Sequence, residues 1–374
     1  MSMPLKNVSI PSTARIMNNL NHELNPKNLS GRLSPTVENV RLSCKALACS
    51  PQCTVKIDEA RAREVIDNLD VGILKKTTHH MEIPLDFPDE KSEVNFHIVL
   101  HLLNFGHGYR HPLHGLRNAG AWQTMKRGVE ELQKRSDSGF ITADTLTELS
   151  HEKVVEAFDL GIRTQERERT TDTTLELDPF VDMIVAVAHD SGRRLLDMGL
   201  PDFASFVYSH YRHPESGDPS AAWLVQKLAT CFPAFNDRRD WHGDMEVLFL
   251  KKAQIAVAEL YQRFSNQNPA IFDFTDKDRL TVVCDNVLPC VLRTLGVLIL
   301  PDKLQQKIDS KQPLPAGPDE AELRATAITA TEMMIKYGNG RFWAKELGDY
   351  LWSLGKDPNF RSVERHATLD TCFY

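Results

Sequence analysis

Residues 280–300, LTVVCDNVLPCVLRTLGVLIL, form an almost wholly apolar run with one acid, Asp285, and a proline four residues later. Burying a carboxylate in such a run is costly unless its charge is paired or used. In a helix, Pro289 could not donate to the carbonyl of Asp285, and its ring would crowd that oxygen. The backbone must therefore kink or start a new turn at the acid. A lone carboxylate at such a break suits charge stabilisation or proton transfer. The same acid could instead cap the following turn through its side chain.

An amine is available nearby in sequence. A helix is expected over residues 246–264, with Leu250, Ala253, Val257, Leu260 and Phe264 on its buried face. The face of Lys252 continues through Ala256, Glu259 and Arg263 and reads as solvated. The face of Lys251 continues through Gln254, Ile255, Ala258 and Gln262, which carries less charge. Lys251 is thus the inward-pointing amine, unless its stem is buried and its head stays wet.

The segment LNFGHGYRHPLHG contains Asn104, Phe105, His107 and Tyr109. Its glycines and Pro112 make it a loop after a helix. An amide and aromatic rings on such a loop can hold a planar base. His107, His111 and His114 also invite a metal reading, although a helix carrying them must accommodate Pro112 and glycines. Residues 232–244, FPAFNDRRDWHGD, collect Asp237 and two further carboxylates with arginines and read as a solvated turn. In EAELR, Glu320 and Arg324 stand one helical turn apart as an ordinary ion pair, with Glu322 on another face. The chain lacks GxGxxG, P-loop, GxSxG, HExxH and CxxC motifs. A hydrolase working through carboxylates remains compatible.

The elements that must position these groups read as helix after helix from about residue 55. Ile57, Ala60, Val65, Ile66 and Leu69 recur at helical spacing. Asp178 and Pro179 signal a helix start, with closure at Gly199 and Pro201. Pro318 opens a helix ending near Gly338, and Phe342, Leu347 and Leu351 lie on another. Residues 94–103 fit strand or helix. Residues 163–177 read as an exposed loop, and residues 1–50 as a poorly structured extension before a helical domain over 51–374, in one lobe or two. No alternation of strands and helices supports a doubly wound sheet.

The net charge of −7 disfavours general nucleic-acid affinity. No uncharged apolar run is long enough to span a membrane. Seven scattered cysteines and no secretory signal imply free thiols in a reducing compartment. Cytoplasmic placement follows, and the acid-poor start leaves nuclear or mitochondrial placement open.

Taken in order, the segments resemble the queuosine salvage family, the queuosine 5′-phosphate N-glycosylase/hydrolases. LNFGHGY is similar to that family's LNF-S-F-W segment, and CFPAFNDRRDWHGDMEVLFLKKAQI to its FP-x-F-R-D and FYKRAQI segments. LTVVCDNVLPCVLRTLGVL is similar to its ADYRVPQ segment, and DEAELRATAI to its EVEIRA segment. GDYLW with Tyr374 resembles its C-terminal end. The resemblance implies an all-α fold distantly like the helix-hairpin-helix DNA glycosylases. It implies cleavage of an N-glycosidic bond that releases queuine, with neither metal nor organic cofactor, a small nucleotide as substrate, and no stable nucleic-acid or membrane partner. Matching positions put Asp285 and Lys251 in the active site, with Asn104, Phe105 and Asp237 around the base. Glu322 and Arg324 join the substrate-binding set. NFGHGYR replaces NFSFW, so His107 or Tyr109 must supply the missing stacking, and DNVLPC lacks three side chains found beside the family acid. Two alternatives follow from these departures and the scaffold. One is a nucleic-acid glycosylase or binder, the other an inactive base-binding or interaction protein.

Overall fold

The computed structural model describes residues 32–77, 83–136, 139–161, 171–243 and 245–374, with the side chains of 171–176 excepted. Among them helix dominates, and strands occur only as two short antiparallel pairs. Local sequence sets the helix starts. Thr36 accepts from the Asn39 N–H to cap Val37–Ala48, and Asp89 accepts from the Ser92 N–H at 2.7 Å to cap Glu90–Leu102. Residues 94–103 are thus helical, and that helix is buried on every face.

Two helices carry the centre. Pro318–Gly338 begins with proline in its first turn, where no N–H is needed. Its buried length is small: Ala321, Ala325, Ala327 and Ala330 admit close neighbours, and Thr326, Thr329 and Thr331 return their hydroxyls to carbonyls one turn back. Lys251–Phe264 lies against Glu90–Leu102 and Ala221–Cys231.

Several expectations need correction. Val37–Ala48 is a helix packed on Pro318–Gly338, because Val37, Val40, Cys44 and Leu47 share one buried face. The unstructured extension therefore does not reach residue 50; residues 1–31 lie outside those described. The 246–264 helix starts only at Lys251. Met245–Leu248 is a strand paired with Arg238–Trp241, and Leu250 takes a left-handed conformation that breaks the chain direction. The 232–244 segment is therefore no solvated turn, and Asp237, Arg238, Arg239 and Trp241 are buried. Another helix spans Thr171–Asp197, so Pro179 sits inside it and residues 171–177 are not a loop; residues 162–170 lie outside those described. That helix tolerates a proline at the cost of one hydrogen bond, offset by burial of Leu177, Phe180, Val181 and Ile184. After Leu103 the chain forms a single 3-10 turn, His107–Tyr109, and then helix Arg110–Arg117. Pro112 is accommodated there because it falls in the first turn.

The apolar run at 280–300 splits in the same way. Residues up to Asn286 are irregular, and the helix Val287–Thr294 starts just after the acid, with Pro289 in its first turn. Leu298–Ile299 then pairs with Lys56–Ile57. No helix among the described residues is long and apolar enough to cross a membrane.

Candidate active site

Two glycines build one wall of the site. Gly106 has a left-handed φ of 96°, and a Cβ there would meet the Phe180 ring at 2.4 Å. A Cβ on Gly108 would meet the Thr368 carbonyl oxygen at 2.1 Å. Only glycine permits both approaches. Between them His107 is presented to a cavity of about 340 Å³, which Asn104, Lys251, Asp285 and Trp122 also line.

Asp285 uses both oxygens. Oδ1 accepts from the Val287 N–H at 2.7 Å, as a helix-starting acid does, and Oδ2 faces His107 Nε2 at 3.5 Å. The capping role and the site role coexist in one carboxylate. Lys251 opens its helix, and its Nζ donates to the Asn104 carbonyl at 3.0 Å. The face drawn through Gln254, Ile255 and Ala258 does line the cavity.

Burial sets the protonation states. It lowers the Lys251 ammonium to about 8, although Asp285 pulls the other way. It lowers the His107 imidazole to about 4, so His107 is neutral at pH 7. Burial alone would raise the Asp285 carboxyl. His107, Lys251 and the Val287 N–H outweigh it, and the group lies below the ordinary carboxylate range.

The cavity also carries a buried ion cluster of Lys345 with Glu259 and Asp349, which local sequence does not disclose. Lys345 Nζ bridges Glu259 at 3.2 Å and Asp349 at 2.6 Å, leaving two carboxylates for one amine. Glu259 Oε2 and His101 Nε2 are buried there without a hydrogen-bond partner. The His101 ring is stacked on Trp122, 6.2 Å between centroids, and burial lowers its imidazole to about 3. Sequence pattern puts Glu259 on a solvated face with Lys252. Both are buried, and Lys252 donates to the Leu102 carbonyl at 2.7 Å below the Phe105 ring.

Other expected site residues stand behind the wall. Phe105 and Tyr109 pack on Phe180, at 5.9 and 5.1 Å, and Tyr109 donates to the Leu369 carbonyl at 3.2 Å; neither lines the cavity. Asp237 is bound by both terminal nitrogens of Arg324, at 3.0 and 2.5 Å. Arg324 also reaches Glu320 and the Cys284 carbonyl, next to Asp285. Glu322 points elsewhere, accepting from Thr54 N at 2.8 Å, Thr54 Oγ1 at 2.6 Å and Trp241 Nε1 at 3.3 Å. These groups fix the frame around Asp285 and do not face the cavity. Among the described residues no three His, Cys, Asp or Glu side chains converge as metal ligands.

A helical frame that brings a buried carboxylate and a depressed amine to one enclosed cavity defines a class of candidate hydrolytic site. Residues 85–374 match the family model described as Queuosine salvage protein, and the chain belongs to that family. It is 29% identical over 200 residues to the queuosine 5′-phosphate N-glycosylase/hydrolase of Sphaerobacter thermophilus, covering 52% of this chain and 58% of the relative. The corresponding protein of Dictyostelium discoideum is 31% identical over 163 residues, 42% of this chain and 50% of the relative. That of Schizosaccharomyces pombe is 27% identical over 199 residues, 53% and 55% respectively. The chain spans about half the length of these curated relatives.

Proposed function

We propose that this protein hydrolyses the N-glycosidic bond of queuosine 5′-phosphate and releases queuine for salvage into tRNA. The observation that carries this reading is the juxtaposition of Asp285, His107 and Lys251 on one cavity in a chain of this family. Cleaving the bond sends its electron pair to the base nitrogen and leaves positive charge on the ribose. The Asp285 carboxylate stabilises that cation at close range. Water then attacks the anomeric carbon, and its proton passes to Asp285. The departing base takes a proton from the Lys251 ammonium, whose lowered pKa suits that transfer. The Lys345–Glu259–Asp349 cluster receives the cationic aminomethyl group of queuine, which competes with Lys345 for the two carboxylates. Glu259 and Asp349 are its partners, and Trp122 supplies the stacking expected of Phe105 and Tyr109.

The test is incubation with queuosine 5′-phosphate and mass-spectrometric detection of free queuine. No release from a folded sample overturns the reading and leaves a base-binding protein without catalysis.

The pH profile gives a second check. With Lys251 as the proton donor, kcat/KM falls about tenfold per pH unit above about 8, where the ammonium of the free protein is lost. A rate that rises through pH 8 instead would make the neutral amine the active form and remove Lys251 as the donor.

A further inference from the structure

No step of the reaction above uses His107, yet its Nε2 stands 3.5 Å from Asp285 Oδ2. The contact is built from both sides. The turn that carries His107 lies against Phe180 and the Thr368 carbonyl, where Gly106 and Gly108 leave no Cβ in the way. The ring stacks on Tyr374, with 6.5 Å between centroids and 30° between planes. Tyr374 is itself fixed. Its hydroxyl donates to Thr368 Oγ1 at 3.0 Å, and its backbone oxygen accepts from the Gly106 N–H at 3.1 Å. On the acid, Oδ1 accepts from the Val287 N–H at 2.7 Å, and Oδ2 is the oxygen that faces the imidazole. The segment NFGHGYR departs here from the family's NFSFW, which contains no histidine, so the contact is a feature of this chain.

A carboxylate held at one oxygen can still turn about its last bond. A second donor at the other oxygen fixes its plane, and a charge already oriented stabilises a developing cation without reorganisation. The donor must be uncharged, because an imidazolium would cancel the charge that the sugar cation needs. Burial keeps the ring in that form, its imidazole lowered to about 4 although Asp285 pulls the other way. An uncharged imidazole carries one N–H, and the carboxylate opposite favours it on Nε2. The charged groups facing the pair are Lys251 at its helix start and Arg365 in the C-terminal segment. Arg110, His114 and Lys356 line the concavity on the other side of His107, and the buried His366 also feels Asp285.

We propose that His107 is the positioning residue of Asp285, donating its Nε2 proton to Oδ2 so that the carboxylate is held at both oxygens while the glycosidic bond breaks. This rests on the hydrolase reading above and deepens it. A separation of 3.5 Å is the outer edge of hydrogen-bond reach, and such contacts in an unliganded site tighten when substrate fills it. His107 acts through Asp285 and itself exchanges no proton with the substrate.

The experiment compares queuine release from queuosine 5′-phosphate across pH in the wild-type protein, His107→Phe and His107→Gln. Phenylalanine keeps an aromatic ring and removes the donor, whereas glutamine offers an N–H that does not titrate. His107→Phe should lower kcat about tenfold to a hundredfold with KM nearly unchanged, and His107→Gln should recover most of that loss. The acid limb of kcat/KM should also move to higher pH in His107→Phe. Burial raises the Asp285 carboxyl, and His107 is the foremost group that lowers it. Without His107 the carboxyl takes its proton at higher pH, so the ionised form is lost sooner as pH falls. An unchanged kcat, an unmoved acid limb, or a glutamine variant no better than the phenylalanine one overturns the proposal.

NMR of the same proteins separates failure of the pair from failure of the reaction, because it needs no turnover. At pH 7 the ring nitrogen signals should show the His107 proton on Nε2, and the Asp285 carboxyl carbon should titrate at higher pH in His107→Phe than in the wild type. Both results in a wild type that releases no queuine would leave the pair standing and remove the hydrolase reading alone. A bare Nε2, or an Asp285 titration that the substitution does not move, overturns the positioning role whatever the turnover.

Discussion

Asp285→Asn is expected to lower kcat for queuine release by about a thousandfold or more while leaving the fold intact. The substitution keeps size and shape. The amide oxygen can still accept from the Val287 N–H, so the start of the Val287–Thr294 helix survives. In the proposed reaction, what is lost is the negative charge that faces the ribose as the bond breaks. In an enclosed site that charge is weakly screened and already oriented, so no neighbouring dipole replaces it. Single-turnover release of queuine with circular dichroism on the same sample separates chemistry from folding. Near-normal turnover would remove Asp285 from the mechanism. A linked effect sharpens the test. Asp285 is the main group pulling the Lys251 ammonium up against burial. Without that charge Lys251 loses its proton more easily, so the alkaline limb of the residual activity moves to lower pH.

How much of this was legible in the sequence follows from the range of the interactions. Asp285 and Lys251 could be read because each breaks a local rule, an acid in an apolar run and a lysine on a sparsely charged helix face. Helices such as Pro318–Gly338 were legible because period and caps act over a few residues, whereas Val37–Ala48 and Arg110–Arg117 were not, since an Asn- and Ser-rich stretch and a Gly- and Pro-bearing segment mask them. Glu259 was not legible. Its helix face carries Lys252 and Arg263, which look solvated until Lys345, 86 positions further on (345 − 259), supplies the buried partner. Arg239 likewise reads as part of a solvated turn and Arg324 as an ordinary helix ion pair or a substrate ligand, yet both bind Glu320 in the interior. Long-range pairing overrode local composition in each case. The aromatics failed differently. Phe105 and Tyr109 share a segment with His107, but the short 3-10 turn fixed by Gly106 and Gly108 points His107 alone to the cavity. Spacing along a loop does not show which way each side chain turns.

Arg324→Met should reduce the free energy of unfolding by about 3–5 kcal/mol, the largest stability effect expected of a single polar substitution here. Arg324 is fully buried, with its guanidinium between the rings of Phe249 and Tyr374 at 3.9 and 4.5 Å. Its hydrogen bonds satisfy both oxygens of Asp237, one of Glu320, and the Cys284 carbonyl. Methionine fills much of the space but donates nothing. Glu320 keeps Arg239 at 2.9 Å, whereas the Asp237 carboxylate keeps only the distant Lys251 N–H at 3.5 Å. A buried, nearly unpaired carboxylate is the dominant cost. Arg324→Lys should not restore stability, because one ammonium cannot span both oxygens of Asp237 and reach the Cys284 carbonyl. Urea denaturation of the three proteins measures the effect. The double variant Asp237→Asn/Arg324→Met discriminates further, since neutralising the stranded carboxylate should recover part of the loss. Equal stability of Arg324→Met and wild type would mean that the pair contributes no more than two apolar residues in its place. Because the Cys284 carbonyl adjoins Asp285, Arg324→Met should also lower kcat in whatever fraction remains folded, by releasing the backbone that aims the carboxylate at its substrate.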